Sequence, residues 1–367
     1  MASAADIAKS LAAAIGANDE ETTVSQFLPS GFPPLDHASN SSWENGAFPV
    51  GRMIEIAGPP SSGKTALATA AMSGAQAMGG IAGFMDHERS FSVKLAPKLG
   101  LDTTPGLFTF KTPKTFEESL QICVVAANHV RQNKLIKKDA PICWVFDSLA
   151  AMVPRSAYYE MKDGKIKGVK SLEDRNMNDN TALARATSNA FPAFAQHCED
   201  LGICAIFLNQ IRQDLNVKFG DPRKTTGGNA PAFYFSQRLW LSAAQIKKGT
   251  DIIGMEVTGK YMKNKIARPF QTAAWRFMFQ PDGTGKFDRQ RSLVEFLETN
   301  GFLPKAKQAG FVVFDGKNIA KETLARQIEG EGENGMKRLM ALLPAAFEPP
   351  VVVEADGFDE DADPIAA

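Results

Sequence analysis

From Met53 onward, short apolar runs alternate with longer stretches of helical composition. The runs are Met53 to Ala57, Ile81 to Met85, Leu107 to Phe110, Ile142 to Phe146 and Ile203 to Leu208. Helical segments such as Phe116 to Gln132 and Thr181 to Leu201 separate them. That alternation predicts parallel strands with helices on both faces. Beyond Gly228 the pattern changes: Arg238 to Ser242, Met255 to Tyr261 and Ala274 to Phe279 follow one another without long helices. These predict an antiparallel extension of the same sheet, so the fold class is α/β.

The ends of the chain read differently. "ASAADIAKSLAAAIG" predicts a short amphipathic helix; Asp6, Lys9 and the lack of a basic start argue against a secretory leader. The following stretch is rich in Pro, Gly, Ser and Asn and reads as a linker with at most one extended element, around Val24 to Leu28. The core ends near residue 287. Leu293 to Asn300, Ala320 to Glu329 and Gly335 to Leu343 read as helices around a small "FVVF" strand, which predicts a small α+β C-terminal domain. The expected division is therefore 1–48, 49–287, 288–350 and a tail, 351–367. Glu354 to Asp363 holds six acids and no base, the composition of a disordered segment.

Charge adds one restriction. Lys and Arg number 41, as do Asp and Glu, so any nucleic-acid contact must come from local patches. Two long charged loops could supply them, "PRSAYYEMKDGKIKGVKSLEDRNMNDN" and "IRQDLNVKFGDPRKTTGGNA". Cys123, Cys143, Cys198 and Cys204 contain no C-x-x-C pair and lie in apolar stretches, which fits a reducing intracellular compartment and no metal site. No run of about 18 apolar residues exists to span a membrane.

The chemistry begins at "GPPSSGKT", Gly58, Pro59, Pro60, Ser61, Ser62, Gly63, Lys64 and Thr65, directly after the run "MIEIA". This is the G-x-x-x-x-G-K-[ST] spacing of a phosphate-binding loop, placed between a strand and an alanine-rich helix. Unpaired N–H groups at such a helix start favour an anion. Lys64 would reach the terminal phosphates of a bound triphosphate, and the Thr65 hydroxyl would ligate Mg²⁺.

Asp147, closing "ICWVFDS", fits either a second Mg²⁺ partner or a cap of the next helix; the phosphate loop favours the metal role. "GFMDHERS" offers Asp86 and Glu88 at the same sheet edge. Glu88 is the candidate to orient or deprotonate water, the alternative being an exposed carboxylate that starts a helix. Asn209 and Gln210 end the strand "CAIFLNQIR" and could sense the terminal phosphate or simply cap the strand.

"GPPSSGKT", "FMDHE", "VFDS", "FLNQIR", "FGDPRKTTGGNAPAFYFSQR" and "KYMKNKIARPF" occur in the order and approximate spacing of bacterial and phage RecA recombinases. From about Pro49 to Phe287 the chain resembles that family, and "NQIR", "TTGGNA" and "KNKIARPF" are more specific than the phosphate loop. The resemblance implies a RecA-like P-loop ATPase core with an N-terminal polymerisation arm. It also implies an ATP- and Mg²⁺-dependent protein of the bacterial or phage-infected cytoplasm. Such a protein coats single-stranded DNA as a helical filament and exchanges strands with homologous duplex DNA.

In that family Glu88 would activate water, Asp147 would partner Mg²⁺, and Gln210 would couple phosphate state to the loop that follows. Lys263 and Lys265, which read locally as solvated strand ends, would reach the ATP of a neighbouring subunit. Arg185, Arg212, Lys218, Arg223, Lys224, Thr225, Thr226, Gly227, Gly228 and Asn229 would face DNA, with Phe219 as a wedge between bases.

Two departures stand out. The first long loop is extended, with lysines from Lys162 to Lys170. Leu95 stands where the family places an adenine-stacking tyrosine. Two other activities remain open at this point: a RecA-like ring ATPase or helicase motor, and a non-catalytic regulatory filament protein.

Overall fold

A computed structural model describes residues 3–15, 23–163, 165–171, 173, 177–213 and 223–347. Its central sheet comprises β1 (Met53–Ala57), β2 (Ile81–Asp86), β3 (Phe108–Lys111), β4 (Ile142–Asp147), β5 (Ile203–Asn209), β6 (Gln237–Lys248), β7 (Asp251–Asn264), β8 (Thr272–Phe279) and β9 (Gly285–Phe287). They lie in the order β9-β8-β7-β6-β1-β5-β4-β2-β3. Strands β6, β1, β5, β4, β2 and β3 run parallel. Strands β7 to β9 continue the sheet antiparallel. The predicted extension is present, but it starts one strand later, because β6 runs parallel to β1.

The longer helices are α1 (Ala4–Ile15), α2 (Pro33–Asn40), α3 (Lys64–Ala77), α4 (Phe116–Gln132), α5 (Met177–Leu201), α6 (Arg289–Thr299), α7 (Lys321–Gly330) and α8 (Glu333–Met340). Strands β1, β4 and β5 are buried along their whole length because both faces of the sheet are covered. Successive side chains divide between two cores. Ile54, Ile56, Val145, Ile206 and Leu208 pack with Leu67 and Met72 of α3. Met53, Trp144, Phe146, Ala205 and Phe207 pack with Leu120 of α4 and Phe191 of α5. Helix α4 starts where the sequence says it should: Thr115 accepts from the Glu118 N–H at its N-cap, and Glu117 and Glu118 sit in its first turn.

The linker expected up to residue 48 is not one throughout. Phe27–Leu28 pairs antiparallel with Phe48–Pro49, and α2 lies between them. Leu28, Phe32, Leu35, Ala38 and Phe48 are buried in the same core as Tyr261 and Trp275. Prolines and serines concealed this, since Pro33 and Pro34 open a helix rather than break one. Helix α1 differs, with every described side chain exposed, including Ile7 and Leu11.

Other expectations change in the same way. The long loop after β4 contains a short helix, Arg155–Tyr158, and a hairpin, Tyr159–Lys162 with Lys165–Val169. Leu293, Val294 and Leu297 of α6 and Leu324 and Ile328 of α7 belong to the core that contains Ile54 and Ile56, so residues 288–347 extend that core. The acidic tail lies outside the described residues. Among the described residues no helix is long and apolar enough to cross a membrane.

Candidate active site

The turn from β1 into α3 is shaped by its glycines. A Cβ on Gly58 would stand 2.6 Å from Ser62 Oγ and 3.0 Å from the Leu241 carbonyl oxygen, so a side chain there would crowd the turn against β6. Gly63 is the N-cap of α3 at φ 83, the left-handed region that favours glycine. No side chain caps the helix and no acid occupies its first turn, leaving its N–H groups and dipole available to an anion. Lys64 Nζ donates to the carbonyl oxygens of Gly58 (3.0 Å) and Pro59 (2.8 Å). Burial pulls its pKa down, and the carboxylates of Asp147 and Glu88 oppose that shift.

Strand register delivers the acids to the same edge. Ala57 lies opposite Asn209, and Asp86 opposite Asp147. Thr65 Oγ1 donates to Asp147 Oδ2 at 3.3 Å across the sheet edge. The Asp147 carboxyl is pushed up to about 7 by burial and then by the negative charges of Glu88 and Asp86, with Thr65 and Lys64 opposing. A nearly buried carboxyl crowded by two others favours a cation, and its hydroxyl and carboxylate oxygens suit a hard divalent ion. Thr65 and Asp147 therefore fit the Mg²⁺ role expected of them.

Glu88 Oε1 accepts from Gln210 Nε2 at 3.0 Å and from the Ser148 hydroxyl. Its backbone is held as well, since the N–H groups of His87 and Glu88 both donate to the Asp147 carbonyl oxygen, at 2.6 and 3.2 Å. Asp86 accepts from the N–H groups of Ser90 and Phe91, at 3.3 and 3.1 Å, so that of Asp86 and Glu88 only the latter lines the cavity. Burial holds the imidazole of His87 down at about 4, and its Nε2 lies 2.6 Å from Ser119 Oγ.

These groups line a cavity of about 490 Å³. One wall is the phosphate turn from Pro60 to Ala66 with Glu88, Asp147 and Gln210; the other is Met255 and Val257 of β7 with Phe277 and Phe279 of β8. The second wall was not read from the sequence as part of the site. Its signal is alternation, since Met255 and Val257, like Phe277 and Phe279, fall two apart and share a sheet face.

Lys263 and Lys265 are not among the lining residues. Lys263 Nζ donates to the carbonyl oxygens of Ala232 and Phe233, and Lys265 Nζ to that of Phe233 at 3.2 Å. Both thus cap the short helix Ala230–Tyr234. Burial, helped by Lys265 and Arg238, lowers the Lys263 pKa to about 8.

The loop after Gln210 is anchored at both ends. Ile211–Gln213 pairs antiparallel with Arg223–Thr225, setting Arg212 opposite Lys224. Arg212, Arg223, Lys224, Gly228 and Asn229 are exposed. Gly227 is buried, and its carbonyl oxygen accepts from Thr187 Oγ1 at 2.8 Å, so its lack of a side chain serves packing against Leu149 and Pro231. Arg185 lies exposed on α5, its Nη1 donating to Thr181 Oγ1 at 2.6 Å. Lys218 and Phe219 lie outside the described residues.

A phosphate turn between β1 and α3, with acids at neighbouring strand ends, defines a P-loop nucleoside-triphosphatase core. The family model for the RecA N-terminal domain matches residues 6–284. The chain belongs to the RecA family of recombination proteins. It is similar to Protein RecA of Frankia casuarinae, 35% identical over 81% of this chain and 76% of that protein, and to Protein RecA of Mycolicibacterium gilvum, 36% identical over 80% and 75%. A solved structure titled as the RadB recombinase aligns over 70% of this chain and 97% of its own, at TM-score 0.44 and 19% identity.

Proposed function

We propose that this chain hydrolyses ATP under the control of single-stranded DNA, polymerises on that strand, and exchanges it with a homologous duplex. The observation that carries this reading is one cavity holding the phosphate turn, Glu88 and Gln210, with Gln210 opening the loop that presents Arg212, Arg223 and Lys224.

A triphosphate seated on the N-terminus of α3 meets N–H donors and the Lys64 ammonium, which stabilise charge as it builds on the transferred phosphoryl group. Mg²⁺, when bound by Thr65 and Asp147, neutralises phosphate charge. Glu88 orients the attacking water and accepts its proton. The apolar wall of Met255, Val257, Phe277 and Phe279 takes the base and leaves the phosphates to the polar wall.

Gln210 stands between Glu88 and the loop, so loss of the terminal phosphate alters its bonding and with it the loop's grip on DNA. The loop cations neutralise DNA phosphates, and the sequence of the target is read by base pairing rather than by side chains. Lys263 and Lys265 exchange their helix carbonyls for the ATP of an adjacent protomer, and α1, whose described side chains are exposed, docks on a neighbouring subunit.

Electron microscopy with single-stranded DNA and a non-hydrolysable ATP analogue tests the reading. A helical filament, together with hydrolysis strongly stimulated by single-stranded DNA, supports it. DNA-independent turnover in closed rings would indicate a motor instead, and no turnover a regulatory protein.

A further inference from the structure

Between the nucleotide cavity and the loop lies a polar cluster centred on a buried carboxylate of the sheet. Glu55, in the middle of β1, is fully buried, and both its oxygens are occupied. Oε1 accepts from Asn209 Nδ2 at 2.9 Å and Oε2 from Arg238 Nε at 2.7 Å. Each donor has a second bond, and both second bonds go to the C-terminal anchor of the loop. Asn209 Nδ2 also donates to the Thr226 carbonyl oxygen at 2.9 Å, and Arg238 Nη2 to Thr225 Oγ1 at 2.8 Å. One carboxylate thus holds two successive loop residues through two intermediaries.

Trp240 extends the cluster. The guanidinium of Arg238 lies 5.7 Å from its ring centroid and that of Arg223, from the loop, 5.4 Å. Both distances fit cation–π contacts. Trp240 pairs in register with Ala57, the residue before Gly58. The ring therefore meets one loop cation, Arg223, and one strand cation, Arg238, while its backbone is paired with the strand that becomes the phosphate turn.

Two features set this cluster apart from ordinary strand packing. A buried ion pair is a poor source of stability compared with apolar side chains of the same volume, so stability alone does not account for it. Moreover, consecutive residues divide the tasks at the end of β5. Gln210 bonds Glu88 in the cavity, and Asn209 bonds Glu55 and the loop. The Asn209 amide is locked in one orientation, because its Oδ1 also accepts from the Gln210 N–H at 2.9 Å. The same chain of bonds joins Gln210 and the phosphate strand to the bonds that fix Thr225 and Thr226.

We propose that Glu55, Arg238 and Trp240 are positioning residues that couple occupancy of the nucleotide cavity to the grip of the loop on DNA. The inference rests on the reading of that loop as a DNA contact.

The test is the affinity for a labelled oligo-dT strand with and without a non-hydrolysable ATP analogue, beside the affinity for a fluorescent ATP analogue without DNA. The variants are the double Glu55→Gln/Arg238→Gln, which leaves no lone buried charge, and Trp240→Leu, with Trp240→Phe as the conservative replacement. In the native protein the analogue tightens DNA binding about tenfold or more, within the usual range of coupling between sites. In the double variant and in Trp240→Leu the tightening falls below about threefold while DNA-free nucleotide affinity stays within about twofold; Trp240→Phe keeps the tightening. Variants that melt like the native protein and keep full tightening overturn the inference alone. A native protein that does not bind the oligonucleotide in the presence of the analogue overturns the functional reading and this inference with it. Should the double variant not fold, the Trp240 pair decides the question without disturbing a buried charge.

Discussion

Gln210 Nε2 donates to Glu88 Oε1 at 3.0 Å, joining side chains 122 positions apart at the edge where β2 and β5 end. The bond ties the carboxylate proposed to handle water to the residue that opens a loop bearing exposed cations. Glu88→Gln keeps the shape and removes the base. Hydrolysis should fall by about 10² to 10⁴, the usual contribution of a positioned base, while affinity for a fluorescent ATP analogue stays near native. Single-turnover hydrolysis beside equilibrium titration checks this, and a variant that still turns over at the native rate would remove Glu88 from the mechanism.

Lys64 sits on the carbonyl oxygens of Gly58 and Pro59 in a turn with no acid nearby in sequence to hold it. Lys64→Ala leaves the helix N-terminus as a general anion seat but removes the cation proposed to hold the terminal phosphate. Hydrolysis should drop at least about a hundredfold, and the preference for ATP over ADP should disappear. Competition titrations of the two nucleotides measure the second effect independently of turnover.

Asp36 provides a pH dependence away from the nucleotide. It is buried in α2, accepts from Ser30 Oγ at 2.6 Å and from the Ser30 N–H at 3.0 Å, and lies close enough to Arg289 to feel its charge. Burial outweighs those partners and pushes its carboxyl up to about 7. The folded chain holds this proton up to that pH, whereas an unfolded aspartate releases it near 4. Between those values the folded state binds more protons, so this group's contribution to stability falls as pH rises. Asp36→Asn should therefore raise Tm more at pH 8 than at pH 5. Equal shifts at both values would show that Asp36 does not titrate in that window.

The sequence disclosed the parts of this protein that depend on local chemistry. The phosphate turn needs glycines at positions where a Cβ would collide or φ is positive, and strands with both faces buried read as continuous apolar runs. Asp147, Glu88 and Gln210 could be assigned to one sheet edge and, through the family resemblance, to one phosphate site, but the bonds between them could not be read, because those depend on strand order. Sequence gives no hint that β4 lies between β2 and β5. The extended element near Leu28 was legible, but residues 29–49 were misread since their prolines and serines look like a linker, while their burial is decided by Tyr261 and Trp275, more than 200 positions later. The apolar wall of the cavity was missed for a related reason. Phe277 and Phe279 look like any half-buried strand, and only β6 and β7, lying between them and β1, bring that face to the phosphate turn.

Gly228 separates the cost of backbone strain from that of a collision. It adopts φ 73, and a Cβ there would lie 2.6 Å from Ala184 Cβ and 3.3 Å from Ala184 Cα on α5. Gly249 has a comparable φ of 63 with nothing within 4 Å of a built Cβ. Alanine at Gly249 should cost only the left-handed penalty, about 1–2 kcal/mol. Alanine at Gly228 adds a clash with the Ala184 methyl, which no side-chain rotation can relieve because Cβ is fixed to the helix backbone, so the loop end must move away from α5. The added cost should therefore appear as weaker binding of single-stranded DNA, with nucleotide affinity unchanged and Tm lowered little more than in Gly249→Ala. If Gly228→Ala binds DNA as tightly as Gly249→Ala does, the contact with Ala184 does not set the position of the loop.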